Sequence, residues 1–96
     1  MEMLDVLRKR DIVRVRLDNG REDEEWCLGE VVACSGSSLA LHLLDGGMVR
    51  TAQGGLIGSF LPLTIDFDRG CFEGLITGDI YEVEKQAARV GDVFRR

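Results

Sequence analysis

Short stretches in which hydrophobic and polar residues alternate, each followed by a glycine-containing turn, constrain the fold of this sequence most strongly. Residues 12–17 alternate in this way and run into Asn19-Gly20, a dipeptide typical of tight turns between strands. The same alternation returns at residues 39–43 and 61–67. A period of two is that of a β-strand with one buried face. We therefore predict a mainly β protein of five to seven short strands.

A small closed or nearly closed antiparallel β-barrel is the expected arrangement of these strands. The chain has 96 residues, enough for a single domain over residues 1–96 with one core. Closure of the sheet removes its exposed edges. In the strand at residues 26–34 the apolar positions change from even to odd at Gly29, which predicts a bulge or bend there.

The end of the chain has a different period. Val83, Ala87, Val90 and Phe94 are spaced by four, three and four residues, which is the spacing of one helical face. The sequence therefore predicts a barrel followed by a C-terminal helix.

Neither a membrane span nor a framework of disulfides or metal ligands is expected. No apolar run approaches the roughly 20 residues that cross a bilayer, and the first residues lack the basic-then-apolar order of a secretory signal. We therefore expect a cytoplasmic protein. Cys27, Cys34 and Cys71 are odd in number and form no Cys-x-x-Cys pair, which argues against disulfides and a zinc site. We expect no cofactor and no metal.

The sequence offers little for catalysis. His42, the one histidine, is predicted on the outward face of a strand, with no serine or cysteine motif beside it. Asp66 and Asp68 lie next to a turn, where aspartate is common for structural reasons. The paired glycines do not form a phosphate-binding loop. We therefore expect a binding module without catalytic residues.

The most informative polar feature is a group of arginines on the first strand. An extended chain places Arg10, Arg14 and Arg16 on one face, and guanidinium groups bind phosphate oxygens and stack on bases. These three are candidate ligand-binding residues. Residues 22–84 contain twelve acidic and two basic residues, which disfavours a broad nucleic-acid surface. The alternative is a solvated strand face paired with the acidic run at residues 22–25.

Two motifs in the first half of the chain resemble those of PilZ domains. Arg10-Asp11-Ile12-Val13-Arg14 is similar to the family's Arg-x-x-x-Arg element, and residues 33–38 align with its Asp/Asn-x-Ser-x-x-Gly element. The resemblance covers nearly the whole chain and implies a barrel followed by a helix, in a bacterial signalling module that binds cyclic di-guanylate. It also implies that Arg10 and Arg14 hold phosphate and guanine and that Ser35 orients a polar edge of the ligand.

The second motif departs from the family at two positions. Ala33 stands where the family has Asp or Asn, and alanine has no oxygen to accept a hydrogen bond from guanine. Ser38 stands where the family has glycine, and it brings a Cβ where close backbone approach is needed. Binding of cyclic di-guanylate is therefore expected to be weakened or lost. Members with such degenerate motifs are understood as protein-interaction modules, so a protein partner is expected.

Other small barrels share parts of this pattern. Trp26-x-x-Gly29-x-Val31 is similar to SH3-like and Tudor-like modules that bind peptides or proteins, and there Trp26 would line an exposed groove. In the PilZ-like interpretation Trp26 would belong mainly to the core. The first strand and its turn also resemble the first motif of Sm-like RNA-binding rings, whose second motif is absent. A homodimer is left open, through Leu44, Met48 or Leu56-Ile57.

Overall fold

The computed structural model describes the backbone of residues 7–89 and the side chains of residues 7–86. Within that range the chain forms eight β-strands. They are β1 (Asp11–Leu17), β2 (Cys27–Ser35), β3 (Ser38–Leu43), β4 (Met48–Arg50), β5 (Leu56–Gly58), β6 (Phe60–Asp66), β7 (Cys71–Gly74) and β8 (Ile80–Arg89). The alternating segments at residues 12–17 and 39–43 lie within β1 and β3, as predicted.

Six of these strands close into an antiparallel barrel, in the order β1-β2-β3-β6-β7-β8. β8 pairs with β1 and closes the cylinder, with Val15 opposite Val83. β4 and β5 form a separate two-stranded hairpin, which the sequence inserts between β3 and β6. The prediction of a mainly β, closed antiparallel barrel of five to seven strands is confirmed.

The interior of the barrel is filled by the inward residues of the alternating strands. Buried hydrophobic residues from the six barrel strands and from β4 form one cluster. Its members are Val13, Val15, Leu17, Cys27, Val31, Leu39, Leu41, Leu43, Val49, Leu61, Leu63, Phe72 and Tyr81. Full burial of one large hydrophobic side chain stabilises the fold by about 1.5–3 kcal/mol. The outward positions of the same strands are thus left for surface functions.

The predicted C-terminal helix is wrong for the part of that segment which the structure describes. Val83 and Ala87 lie in β8, which continues to Arg89 and pairs along β1. A spacing of four residues is also a multiple of two, so these two positions fit one face of a strand as well as one face of a helix. The segment forms a strand and not a helix because its pairing with the free edge of β1 closes the barrel. Val90 and Phe94 lie outside the described residues.

The bulge predicted at Gly29 is not at that position. Cys27, Gly29 and Val31 are buried in regular alternation, whereas Leu28 is exposed. The irregularity in the pairing of β2 with β3 lies further along, after Val31. Hydrophobicity alone places Trp26 and Leu28 inside, but neither belongs to the core cluster. Two apolar residues on the outer surface therefore produce the apparent change of face.

Candidate functional site

Arg14 and Arg16 lie side by side on the outer face of β1, each opposite a glutamate of β8. The strand register pairs Arg14 with Glu84 and Arg16 with Glu82. Nη2 of Arg14 lies 2.6 Å from Oε1 of Glu84, and Nε of Arg16 lies 2.9 Å from Oε2 of Glu82. Cross-strand pairs of opposite charge stabilise a sheet. The two arginines share one face, and their charge is balanced within it.

The ring of Trp26 lies against the same two arginines. The guanidinium carbon of Arg14 is 4.0 Å from the ring centroid, and that of Arg16 is 4.2 Å from it. Arg16 also donates from Nη1 to the backbone carbonyl of Glu24 at 3.0 Å. Trp26 is therefore neither core nor an open aromatic surface, because cation–π contacts occupy its ring. We call this unit the arginine face; it comprises Arg14, Arg16, Trp26, Glu82 and Glu84.

Arg10 and Ser35 lie apart from the arginine face. Arg10 directly precedes β1 with a φ of 79°, and its backbone N–H donates to the carbonyl of Val31 at 2.7 Å. Ser35 is exposed at the tip of the β2–β3 hairpin, where it pairs with Ser38. The structure thus places these two residues toward the β2–β3 hairpin, and the other two predicted arginines in the middle and second half of β1. A shared role for all four in ligand binding stays a prediction.

A second surface surrounds Met48. It consists of two adjoining hollows, of about 280 and 390 Å³, which share Glu25 and Met48. The smaller hollow is also lined by Trp26, Leu28, Leu44 and Asp45, and the larger by Arg21, Asp23, Glu24, Arg50 and Leu56. The β1–β2 loop, the start of β2, the β3–β4 turn and the β4–β5 hairpin supply these residues. We call the two hollows together the Met48 groove.

Large exposed apolar side chains form the floor of the Met48 groove. Leu28, Met48 and Leu56 are 42%, 55% and 62% exposed. Met48 stands opposite Gly58 in the β4–β5 pairing, so its β5 partner has no side chain that could cover it. The core cluster is formed without these three residues. Four other large hydrophobic residues of the described part of the chain are also exposed but lie outside the groove, and exposed apolar residues within a concave surface are typical of interaction sites.

Close packing of Gly47 on Cys27 fixes the wall of the groove formed by the β3–β4 turn. A Cβ at position 47 would collide with Sγ of Cys27 and would lie 3.0 Å from the backbone oxygen of Leu44. Asp45 adopts a φ of 55°, a left-handed conformation that aspartate tolerates better than most residues. The turn therefore holds the exposed carboxylate of Asp45 at the rim of the groove.

The Met48 groove carries a net negative charge. Two of its acidic residues are already paired with arginine, Asp23 with Arg21 at 3.1 Å and Glu24 with Arg50 at 3.6 Å. The hydrogen bond from Arg21 also lowers the pKa of Asp23 below its ordinary value. Glu25 and Asp45 are exposed, and neither forms an ion pair with a side chain of residues 7–86. Two carboxylates without a counter-charge therefore flank an apolar floor.

The sequence indicated part of the apolar half of this surface but not the whole. It left Leu44, Met48 or Leu56-Ile57 open as a dimer surface, placed Leu28 inside the barrel, and predicted the acidic run at residues 22–25 to be a solvated loop. The two halves are about twenty residues apart in the sequence. Only the pairing of β2 with β3, extended by the hydrogen bond from the Leu44 N–H to the Leu28 carbonyl, brings them side by side.

The described residues define a small closed antiparallel β-barrel with a side hairpin and two contrasting outer surfaces. Comparison of the chain with models of protein families, with curated proteins and with solved structures finds no match. Residues 7–89 hold no group of three side chains placed to bind a metal ion and no helix long and apolar enough to cross a bilayer. The distinguishing features of the protein are therefore the arginine face and the Met48 groove.

Proposed function

We propose that this protein is a non-enzymatic binding module that works through protein–protein contacts at the Met48 groove. The observation that carries the proposal is one concave surface that combines exposed apolar side chains with unpaired carboxylates. Leu28, Met48 and Leu56 expose apolar area to water, and Glu25 and Asp45 lack a counter-charge among the described residues. A partner that covers these apolar side chains and supplies positive charge removes the apolar area from water and pairs with the two carboxylates.

The arginines of the arginine face are already paired with glutamates of the same protein, which favours a protein partner over a nucleotide. A phosphate held by the Nε–Nη2 edge of Arg14 would have to displace Glu84, which accepts from both of those nitrogens. Arg16 is held by Glu82 and by the carbonyl of Glu24. The second motif also lacks two of the family's residues. We therefore propose a PilZ-like domain whose cyclic di-guanylate site is degenerate.

We further propose that the protein works in the cytoplasm. Cys27, Cys34 and Cys71 are all free thiols. A reducing compartment keeps thiols in this state, whereas oxidising compartments favour disulfides.

Site-specific photo-crosslinking tests the proposed surface. A benzophenone amino acid replaces Met48 in one variant and Phe67 in a control, because Phe67 is 57% exposed and follows β6, outside the groove. In the cells that produce the protein, we expect a crosslinked adduct of discrete mass from position 48 alone. Adducts from neither position, or equally from both, contradict the proposal.

Calorimetric titration with cyclic di-guanylate tests the degenerate nucleotide site. We expect no binding heat from the unmodified chain. The comparison variants are an Arg10→Ala, Arg14→Ala double variant and Arg69→Ala, which removes an exposed arginine paired only with Asp66 among the described residues. Micromolar binding that the double variant loses and Arg69→Ala keeps would replace the proposed protein-binding module with a nucleotide receptor.

A further inference from the structure

If the Met48 groove is the binding surface, as proposed above, its lining also defines the chemistry of its partner. We infer that the groove binds an extended basic segment of another protein, in which a Lys or Arg side chain stands next to a large apolar side chain. Glu25 and Asp45 receive the cation. Leu28, Met48 and Leu56 receive the apolar side chain.

Charge complementarity selects a cation for this site. Six charged residues line the groove, and four of them are paired with each other, as Arg21 with Asp23 and Arg50 with Glu24. The remaining two, Glu25 and Asp45, are both negative. An anionic segment would add like charge. A second copy of this chain, whose formal net charge is −5, would present the same acidic groove. A basic partner is the occupant that matches.

The size of the groove suits individual side chains. Sites that enclose a small molecule have volumes of roughly 300–1,000 Å³. The smaller hollow, of about 280 Å³, lies just below that range, and the larger, of about 390 Å³, lies near its lower end. Alternate residues of an extended segment project to the same side at a spacing of roughly 7 Å. An extended segment that crosses both hollows therefore presents alternate side chains to the groove.

Met48 is available for contact with a partner, whereas the ring of Trp26 is already covered. Met48 is 55% exposed, and its unbranched thioether side chain adapts to apolar partners of different shape. Trp26 lines the smaller hollow, but Arg14 and Arg16 are already stacked against its ring. A third cation over that ring would meet the two guanidinium groups already there. The carboxylates, and not an aromatic cage, therefore receive the incoming cation.

Binding of two matched peptides to the full chain tests this inference. The first probe is a short peptide of Lys-Ser-Leu-Ser repeats, which places Lys and Leu on one face of an extended chain, and the second has Glu in place of each Lys. Neither contains tryptophan, so fluorescence from Trp26, the one tryptophan in the chain, reports events at the groove that it lines. We expect a saturable change in Trp26 emission with the Lys peptide and no change with the Glu peptide.

Two sets of charge-neutralising variants separate the groove from the acidic surface in general. Glu25→Gln with Asp45→Asn removes the proposed cation site, and asparagine tolerates the left-handed φ at position 45. Asp18→Asn with Asp68→Asn is the control, because both residues are exposed and neither lines the groove. We expect the first pair to weaken binding of the Lys peptide about fivefold or more. The control should leave it unchanged.

The contradicting outcomes are equal binding of the two peptides, or equal loss of affinity in both sets of variants. Either result overturns the basic-segment inference. So does a crosslinked partner from position 48 whose contact segment contains no Lys or Arg, although that result supports the proposed function. Absence of any crosslink from position 48 instead contradicts the proposed function itself.

Discussion

At position 47 the backbone passes so close to Cys27 that one methyl group decides whether the β3–β4 turn keeps its shape. A Cβ on Gly47 would overlap Sγ of Cys27 and crowd the backbone oxygen of Leu44. We expect Gly47→Ala to lower the free energy of unfolding by about 1–3 kcal/mol, the usual cost of overpacking. Urea denaturation followed by Trp26 fluorescence measures this change.

Cys27→Ala provides the matched control, because it removes the sulfur atom that a side chain at position 47 would strike. The double variant should recover part of the stability that Gly47→Ala loses, so the two effects should be coupled and not additive. Strictly additive losses would mean that the backbone of the turn, and not the contact with Cys27, excludes a side chain.

The residues of the arginine face show how far the candidate site was predictable from the sequence. Arg14 and Arg16 share a face because they are two positions apart on a strand, and that parity is a local property. Their partners Glu84 and Glu82 lie 70 and 66 positions away. Only closure of the barrel by β8 brings these charges together. Local pattern therefore predicted the arginines, but the pairing it suggested, with the acidic run at residues 22–25, is not the one that forms.

Among the elements, the β4–β5 hairpin stands outside the barrel and is tied to it by polar contacts. The buried hydroxyl of Tyr81 on β8 donates to the carbonyl of Arg50 on β4 at 3.0 Å. The carboxylate of Asp79 accepts from the N–H of Ala52 at 2.9 Å, and this bond lowers the pKa of Asp79. Both contacts help to hold the hairpin that carries Met48 against the barrel.

Removing the tyrosine hydroxyl should loosen this hairpin. We expect Tyr81→Phe to lower the free energy of unfolding by about 1 kcal/mol, because the carbonyl of Arg50 loses a buried donor. Hydrogen exchange should accelerate at the Thr51 N–H, which donates to the Gly55 carbonyl across the hairpin turn. Acceleration spread evenly over the barrel strands would instead indicate a general loss of core packing.

The elements also show where a sequence pattern is sufficient and where it is ambiguous. Residues 12–17 combine strict alternation with a following turn dipeptide, and they form β1 as predicted. Val83 and Ala87 are compatible with both a helix and a strand, since four residues is close to one helical turn and equal to two strand repeats. A long-range contact, the pairing with β1, decides the outcome there.

For the whole molecule, two buried groups that lose a proton at alkaline pH, the Cys27 thiol and the Tyr81 hydroxyl, make the free energy of unfolding depend on pH in that range. Burial raises the pKa of the Cys27 thiol above its ordinary value of 9.0 and that of Tyr81 above 10.0. The unfolded chain therefore releases these protons at lower pH than the folded chain. Between the unfolded and folded pKa values the unfolded state binds fewer protons, so the free energy of unfolding falls as pH rises above about 9.

Single-site variants show which group causes each part of the fall in the free energy of unfolding at alkaline pH. In Tyr81→Phe the part that begins near pH 10 should disappear, and in Cys27→Ala the part that begins near pH 9. Denaturant midpoints measured from pH 7 to 11 provide the comparison. An unfolding free energy that stays constant up to pH 11 would contradict the assignment of raised pKa values to these two groups.

Amide chemical-shift mapping of the isotope-labelled full chain, titrated in turn with the Lys peptide and with cyclic di-guanylate, tests most directly where this molecule binds. We expect the peptide to shift amides at residues 25–28 and 44–48, and cyclic di-guanylate to leave the amides of β1 and the β2–β3 hairpin unshifted. Shifts at residues 10–16 and at Ser35 with the nucleotide, together with none around Met48 with the peptide, would contradict the Met48 groove as the binding surface.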